Sequence, residues 1–245
     1  MRRLFLVLVV TICGCTAAEE PPESREAFTE AADGRLVLTD IGRAEGWISL
    51  FNGRDLEGWE PSGGTTSEDY VVIDGELRFP REGKDGYIRT AADFEDFELV
   101  LDFKIAFMCN SGLFLRGDRA GGNPAFSGCE VQILDDFNWE KVTSSTLKPY
   151  QLTGGLYGSV PAAERVLRPL GEWNRYRVRY VGSRIRVELN DTLLYDVDTH
   201  EVAGDPPFTE RAPRGFIGLQ RHAPAQVRDE HYACFRNVWV RPVTP

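Results

Sequence analysis

The sequence predicts an all-β domain of two packed sheets, a sandwich or jelly roll. Apolar and polar residues alternate at period two in many short segments, Gly-, Pro- and Asp-containing turns separate them, and no stretch has the spacing of a long amphipathic helix. Between Phe97 and Ile105, Phe97, Leu99, Leu101, Phe103 and Ile105 fall on one side, and Glu98, Val100, Asp102 and Lys104 on the other. Arg184 to Leu189 alternates in the same way, and Asn190-Asp191 then predicts a tight turn into a strand over 193–197. Similar runs at 70–73, 76–79, 111–116, 130–134, 176–181, 215–220 and 235–240 supply the remaining strands. Trp47, Phe51, Trp59 and Trp239 are read as core.

Ahead of this region the chain has a different character. Met1-Arg2-Arg3 precedes an apolar run over residues 4–10, too short to span a bilayer and typical of a secretion signal. The run ends in Ile12-Cys13-Gly14-Cys15, which resembles the bacterial lipobox, and the resemblance implies that Cys15 is lipidated and becomes the first mature residue. Thr16 follows where the resemblance would place an Asp for inner-membrane retention, so the outer membrane is the expected site. Residues 16–33 are poor in large apolar side chains and rich in Glu, Ala and Pro, the composition of a tether. The expected organisation is a signal over 1–14, the lipidated cysteine and a mostly flexible acidic tether over 15–45, and one domain over 46–242.

Removing Arg2 and Arg3 takes the formal charge from −10 to −12, which argues against a nucleic-acid partner. Three cysteines remain after Cys13 and Cys15: Cys109, Cys129 and Cys234. They allow one disulfide at most and do not make a disulfide scaffold, and no CxxC or His-x-His spacing suggests zinc.

Seven segments, in order, resemble one family, the 3-keto-disaccharide hydrolase domain. They are residues 47–59 (WISLFNGRDLEGW), 110–116 (NSGLFLR), 130–135 (EVQILD), 153–158 (TGGLYG), 171–174 (GEWN), 218–222 (GLQRH) and 235–240 (FRNVWV). The resemblance covers about residues 46–242 and implies a concanavalin A-like jelly roll. It also implies hydrolysis of a glycosidic bond in a sugar oxidised at C3, with a sugar 3-dehydrogenase as functional partner.

Strand alternation nominates the site. Glu130 and Gln132 share a face opposite Val131 and Ile133, Gln220 and His222 share one opposite Leu219 and Arg221, and Arg116 lies opposite Leu113 and Leu115. Asn110, Asp135 and Tyr157 fall within family segments and join these as substrate-binding candidates. The plainer alternatives are a surface ion pair for Arg116 and Glu130, a loop position for His222, a turn role for Asn110 and packing for Tyr157.

In the chemistry that the resemblance implies, a C3 ketone acidifies the C2 proton. A base removes it, the C1 oxygen departs, and water adds back. Glu130 and His222 are the proton-transfer candidates, in either order. Arg116, Gln132 and Gln220 are candidates for orienting substrate or stabilising negative charge. No cofactor is required by the sequence, although Glu130, His222 or Asp135 could hold a divalent metal. A retaining glycosidase would need paired carboxylates, whereas 130–135 has Gln at its middle position and Asp at its end. A carbohydrate-binding, lectin-like module remains the non-enzymatic alternative.

Overall fold

Strand alternation places the core between two sheets in the computed structural model, which describes residues 24–222, 226 and 228–244. The larger sheet runs in the order β13 (Thr192–Asp198), β12 (Arg184–Leu189), β11 (Trp173–Val181), β8 (Phe97–Ile105), β15 (His231–Pro242), β6 (Glu76–Pro80) and β5 (Val71–Ile73). A two-residue strand, β3 (Ile48–Ser49), adds to β15. The smaller sheet runs β10 (Cys129–Leu134), β9 (Asn110–Gly117), β14 (Phe216–Arg221), β7 (Gly86–Thr90) and β4 (Trp59–Ser62). Phe79, Phe97, Leu101 and Phe103 of the first sheet meet Leu113, Val131, Ile133 and Leu219 of the second. The fold is the expected two-sheet jelly-roll sandwich.

The β12–β13 turn is the expected tight one. Asn190 and Asp191 both adopt the left-handed backbone, with φ of 52° and 64°, which matches the twist of the flanking strands. Cys109, Cys129 and Cys234 are buried and free, so no disulfide joins them. Among the described residues no helix is long and apolar enough to cross a membrane.

The structure revises the tether. Residues 15–45 were expected to be mostly flexible, yet β1 (Phe28–Glu30), β2 (Leu36–Leu38) and α1 (Asp40–Ala44) form a hairpin and a helical turn on the back of the larger sheet. Phe28 and Leu36 bury there against Trp47 and Val100, with Trp239 alongside. Arg236 and Asn237 donate to the carbonyls of Asp33 and Gly34 at 2.8 and 3.0 Å. Two large apolar residues on a hairpin suffice to dock a segment whose average composition is that of a linker. The signal and Cys15 lie outside the described residues.

Candidate active site

The outer face of the smaller sheet carries the site. Successive strand residues face opposite ways, so with Leu113, Val131 and Leu219 in the core, Asn110, Gly112, Phe114, Glu130, Gln132 and Gln220 face outward. Pairing aligns them in rows. Glu130 lies opposite Phe114, Phe114 opposite Gly218, and Gly218 opposite Arg89. In the next row Gln132 lies opposite Gly112 and Gln220 opposite Tyr87.

Glu130 is the unusual group of this face. It is 3 % exposed, and among the described residues its carboxyl has no hydrogen-bond or ion-pair partner. Burial without compensation disfavours the charge and pushes its pKa up to about 8. Its side chain leans over the next row: a methyl group on Gly112 would collide with the Glu130 carboxyl. Gly112 is thus a space requirement of the carboxyl.

Around it the predicted polar residues take distinct positions. The Gln132 side chain accepts from the backbone NH of Ile133 at 3.1 Å. Gln220 holds a buried Oε1 that has no partner among the described residues, an acceptor open to a ligand hydroxyl. Asn110 is half-buried at the start of β9, opposite Leu134. Residues 153–157 run along the free edge of β10: the NH of Gly154 donates to the Gln132 carbonyl at 2.9 Å and that of Tyr157 to the Glu130 carbonyl at 2.9 Å. Asp136 fastens this edge by accepting from the Thr153 NH at 3.0 Å. Burial pushes the Asp136 carboxyl up to about 6. The Tyr157 ring stands edge-on to Phe126 and Tyr150, each 6.2 Å away.

His222 follows the last residue of β14 and is solvent-exposed, with Nδ1 2.9 Å from Asp85 Oδ2. By register its backbone is two strands and four residues from Glu130, roughly 10 Å across and 13 Å along a regular sheet. The lean of Glu130 over Gly112 halves both offsets, leaving about 5 Å across and 7 Å along, a gap that one sugar ring spans.

Two candidates do not join this face. Arg116 was expected beside Glu130, but its backbone is left-handed, with φ of 53°, where the β9–β14 register slips by a bulge. The side chain is 4 % exposed, stacks 3.5 Å over the Tyr180 ring and pairs with Asp96 at 3.0 Å. It joins the two sheets. Asp135 is fully buried and consumed by backbone contacts, accepting from the NH of the distant Met108 at 2.9 Å and, in its own turn, from the NH groups of Phe137 and Asn138, each at 3.2 Å. Glu130, His222 and Asp135 therefore do not form one coordination set, and among the described residues no group of three or more His, Cys, Asp or Glu side chains gathers to hold a metal ion.

Sequence reasoning named Tyr157 but missed the rest of the aromatic part of the face, and Asp85. Phe114 and Phe216 are buried on the outer side with Phe126, Tyr157 and Tyr87 against them. Tyr87 stacks on Phe216 at 5.5 Å and meets Phe114 edge-on at 5.7 Å. Phe114, the cross-strand neighbour of Glu130, ties this cluster to the site. Their alternation was visible in Phe114 and Phe216, but an aromatic residue on the outer face reads as core in any strand with both faces covered.

The comparisons with known proteins agree with this architecture. A 3-keto-disaccharide hydrolase of Bacteroides thetaiotaomicron is 26 % identical over 170 residues, which cover 62 % of this chain and 58 % of that protein. Two crystal structures from Parabacteroides distasonis, described as candidate glycosyl hydrolases, superpose well. One has a TM-score of 0.70 at 24 % identity, covering 85 % of this chain and 99 % of that one. The other has 0.66 at 30 % identity, covering 80 % and 99 %. The family described as the 3-keto-alpha-glucoside-1,2-lyase-like domain matches residues 46–241, and the chain belongs to that family.

Proposed function

We propose that the chain cleaves glycosides or disaccharides whose sugar is oxidised to a ketone at C3, by elimination followed by hydration. Glu130 takes the C2 proton made acidic by the ketone. The electron pair expels the C1 oxygen, which receives a proton from His222, and water then adds across the resulting double bond. Gln132 and Gln220 orient the sugar, with Asn110 and Tyr157 at the margins. The observation that carries this reading is the isolated carboxyl of Glu130, whose pKa near 8 makes it a much stronger base than an exposed carboxylate while leaving it ionisable near neutral pH. The rising pKa also suits a carboxyl that must hold the transferred proton before returning it to C2 during hydration.

A retaining glycosidase is less well supported. In the register the neighbours of Glu130 on its face are Phe114, Gly112 and Gln132, none of them a second carboxylate. The reading places the chain at the cell envelope on a lipidated Cys15, downstream of a dehydrogenase that supplies the keto sugar.

The test is cleavage of a 3-keto-disaccharide beside its unoxidised parent in deuterated water. The keto sugar alone should be cleaved, with deuterium appearing at C2. Cleavage of the parent would replace this reading by the glycosidase, and binding of either sugar without cleavage by a lectin-like module.

A further inference from the structure

We propose that Asp85 is a positioning residue for His222, holding the ring proton on Nδ1 and leaving Nε2 to exchange a proton with the sugar. This deepens the proposed reaction and rests on it. The contact itself is modest: His222 Nδ1 and Asp85 Oδ2 are 2.9 Å apart, with side chains 50 % and 57 % exposed. Exposed ion pairs of this kind contribute little and arise by chance. What lies beneath this one distinguishes it.

Arg221, the residue before His222, is fully buried. Its guanidinium reaches into the loop that carries Asp85, donating to the carbonyls of Asp69 at 3.1 Å, of Pro80 at 2.7 Å and of Glu82. The Asp69 carboxylate receives the backbone NH of Lys84 at 2.8 Å and that of Thr66 at 2.8 Å. Gly83, at φ +133°, closes the loop on this assembly, since any side chain there would run into Arg221 Nη2 and Asp69 Oδ1. One buried guanidinium therefore ties the end of β14, which bears His222, to residues 80–85, which bear Asp85. Burying an arginine is costly unless its donors are used; Nε and Nη2 are used here, Nη1 has no partner among the described residues, and the bonds that are made fix the relative position of two otherwise exposed side chains.

The chemistry follows from the ring. With Nδ1–H donated to the Asp85 carboxylate, Nε2 is the free nitrogen, and alternation puts His222 on the face shared with Gln220. Protonated at Nε2, the ring gives that proton to the departing C1 oxygen and returns to neutral, while Asp85 stays ionised throughout.

The experiment combines nitrogen-15 NMR of the histidine rings in the full chain with steady-state kinetics on a 3-keto-disaccharide. The chain has three histidines, and His222→Ala assigns the signal. In the unsubstituted chain the neutral ring of His222 should be the Nδ1–H tautomer, and Asp85→Asn and Asp85→Ala should shift it toward Nε2–H. Both variants should lower kcat by up to about 10²-fold with KM nearly unchanged, and Asp85→Glu should recover part of the loss. A His222 ring already in the Nε2–H form, or a tautomer and kcat indifferent to Asp85, overturns the proposal. If the tautomer follows Asp85 but the unsubstituted chain leaves 3-keto sugars intact, the proposed reaction fails, and the catalytic role of the pair fails with it.

Discussion

The outer faces of the two sheets treat their buried carboxylates in opposite ways. On the larger sheet every carboxylate in the central rows meets a cation: Asp102 meets Arg175 and Arg236, Glu98 meets Arg179 and Arg241, Glu76 meets Arg78 and Lys104, and Glu188 meets Arg186. On the smaller sheet Glu130 is as buried as Asp102, yet has no partner among the described residues, and the Oε1 of Gln220 one row away also lacks one. A fold that can pair its charges across one face and leaves one buried carboxyl bare on the other retains it at a cost in stability. The compensated face holds the molecule together; the uncompensated one is available to a ligand.

Glu130→Gln breaks this contrast at its sharpest point and has the largest expected effect. Cleavage of the 3-keto sugar should fall by about 10²–10⁴-fold, the usual contribution of a general base. Stability should move the other way. Glu130 ionises near 4.5 when exposed and near 8 in the fold, so the folded chain holds an extra proton between those values. Its contribution is intact below about pH 4.5 and is lost as pH rises through about 8. The glutamine variant should match the parent in urea unfolding at pH 4.5 and exceed it at pH 9 by on the order of 5 kcal/mol. A variant less stable than the parent at pH 9 would mean that the carboxylate is compensated in solution.

Asp102→Ala tests the other face. Asp102 is 2 % exposed and receives Arg175 through bonds of 2.6 and 2.9 Å and Asn237 Nδ2 at 2.6 Å. Removing it strands two guanidinium groups and should cost about 3–5 kcal/mol. It should also loosen the hairpin of β1 and β2, because Arg175 holds Glu30 at 2.8 Å from the same guanidinium. Cleavage per folded molecule should not change; a proportional loss of kcat would show that the two faces are coupled.

Sequence alone made different parts of this picture legible. Arg184–Leu189 declared itself because it has a single buried face, and Phe97–Ile105 because its apolar residues alternate cleanly, although Val100 and Asp102 on its other face are buried too. The edge strand β4 did not, since Trp59-Glu60-Pro61-Ser62 contains a proline, tolerated because an edge strand needs fewer donors. Nor did β7, which offers Ile88 alone as a fully buried apolar anchor. In the site, Glu130 and Gln132 were readable from parity, whereas Arg116 was misplaced by one left-handed residue that parity cannot see. Asp135 looked available because most of its partners are backbone NH groups, one of them on Met108 across the chain, invisible to a pattern of side chains. Asp85 was unreadable: it meets His222 only through strand pairing across 137 residues.

Gly112→Ala is the smallest of these effects and separates geometry from chemistry on the bare face. The glycine is not required by its backbone, which lies outside the left-handed region. It is required by the Glu130 carboxyl, whose Cδ lies 2.7 Å from the position an added methyl would take. The methyl should turn the carboxyl off the floor of the sheet, leaving the base present but displaced. Misplacement of about 1 Å lowers turnover by up to about 10²-fold, less than deletion of the group. The displaced carboxyl should reach water and titrate nearer its ordinary range, so the fall in stability between pH 4.5 and 8 should flatten without loss at pH 9. Gly218→Ala serves as the control: there the methyl would meet Phe216 at 3.2 Å and Phe114 at 3.3 Å, disturbing the aromatic cluster while leaving the carboxyl its space. Equal losses in the two variants would assign the activity to the packing of the whole face, whereas a loss confined to Gly112→Ala would assign it to the position of one carboxyl.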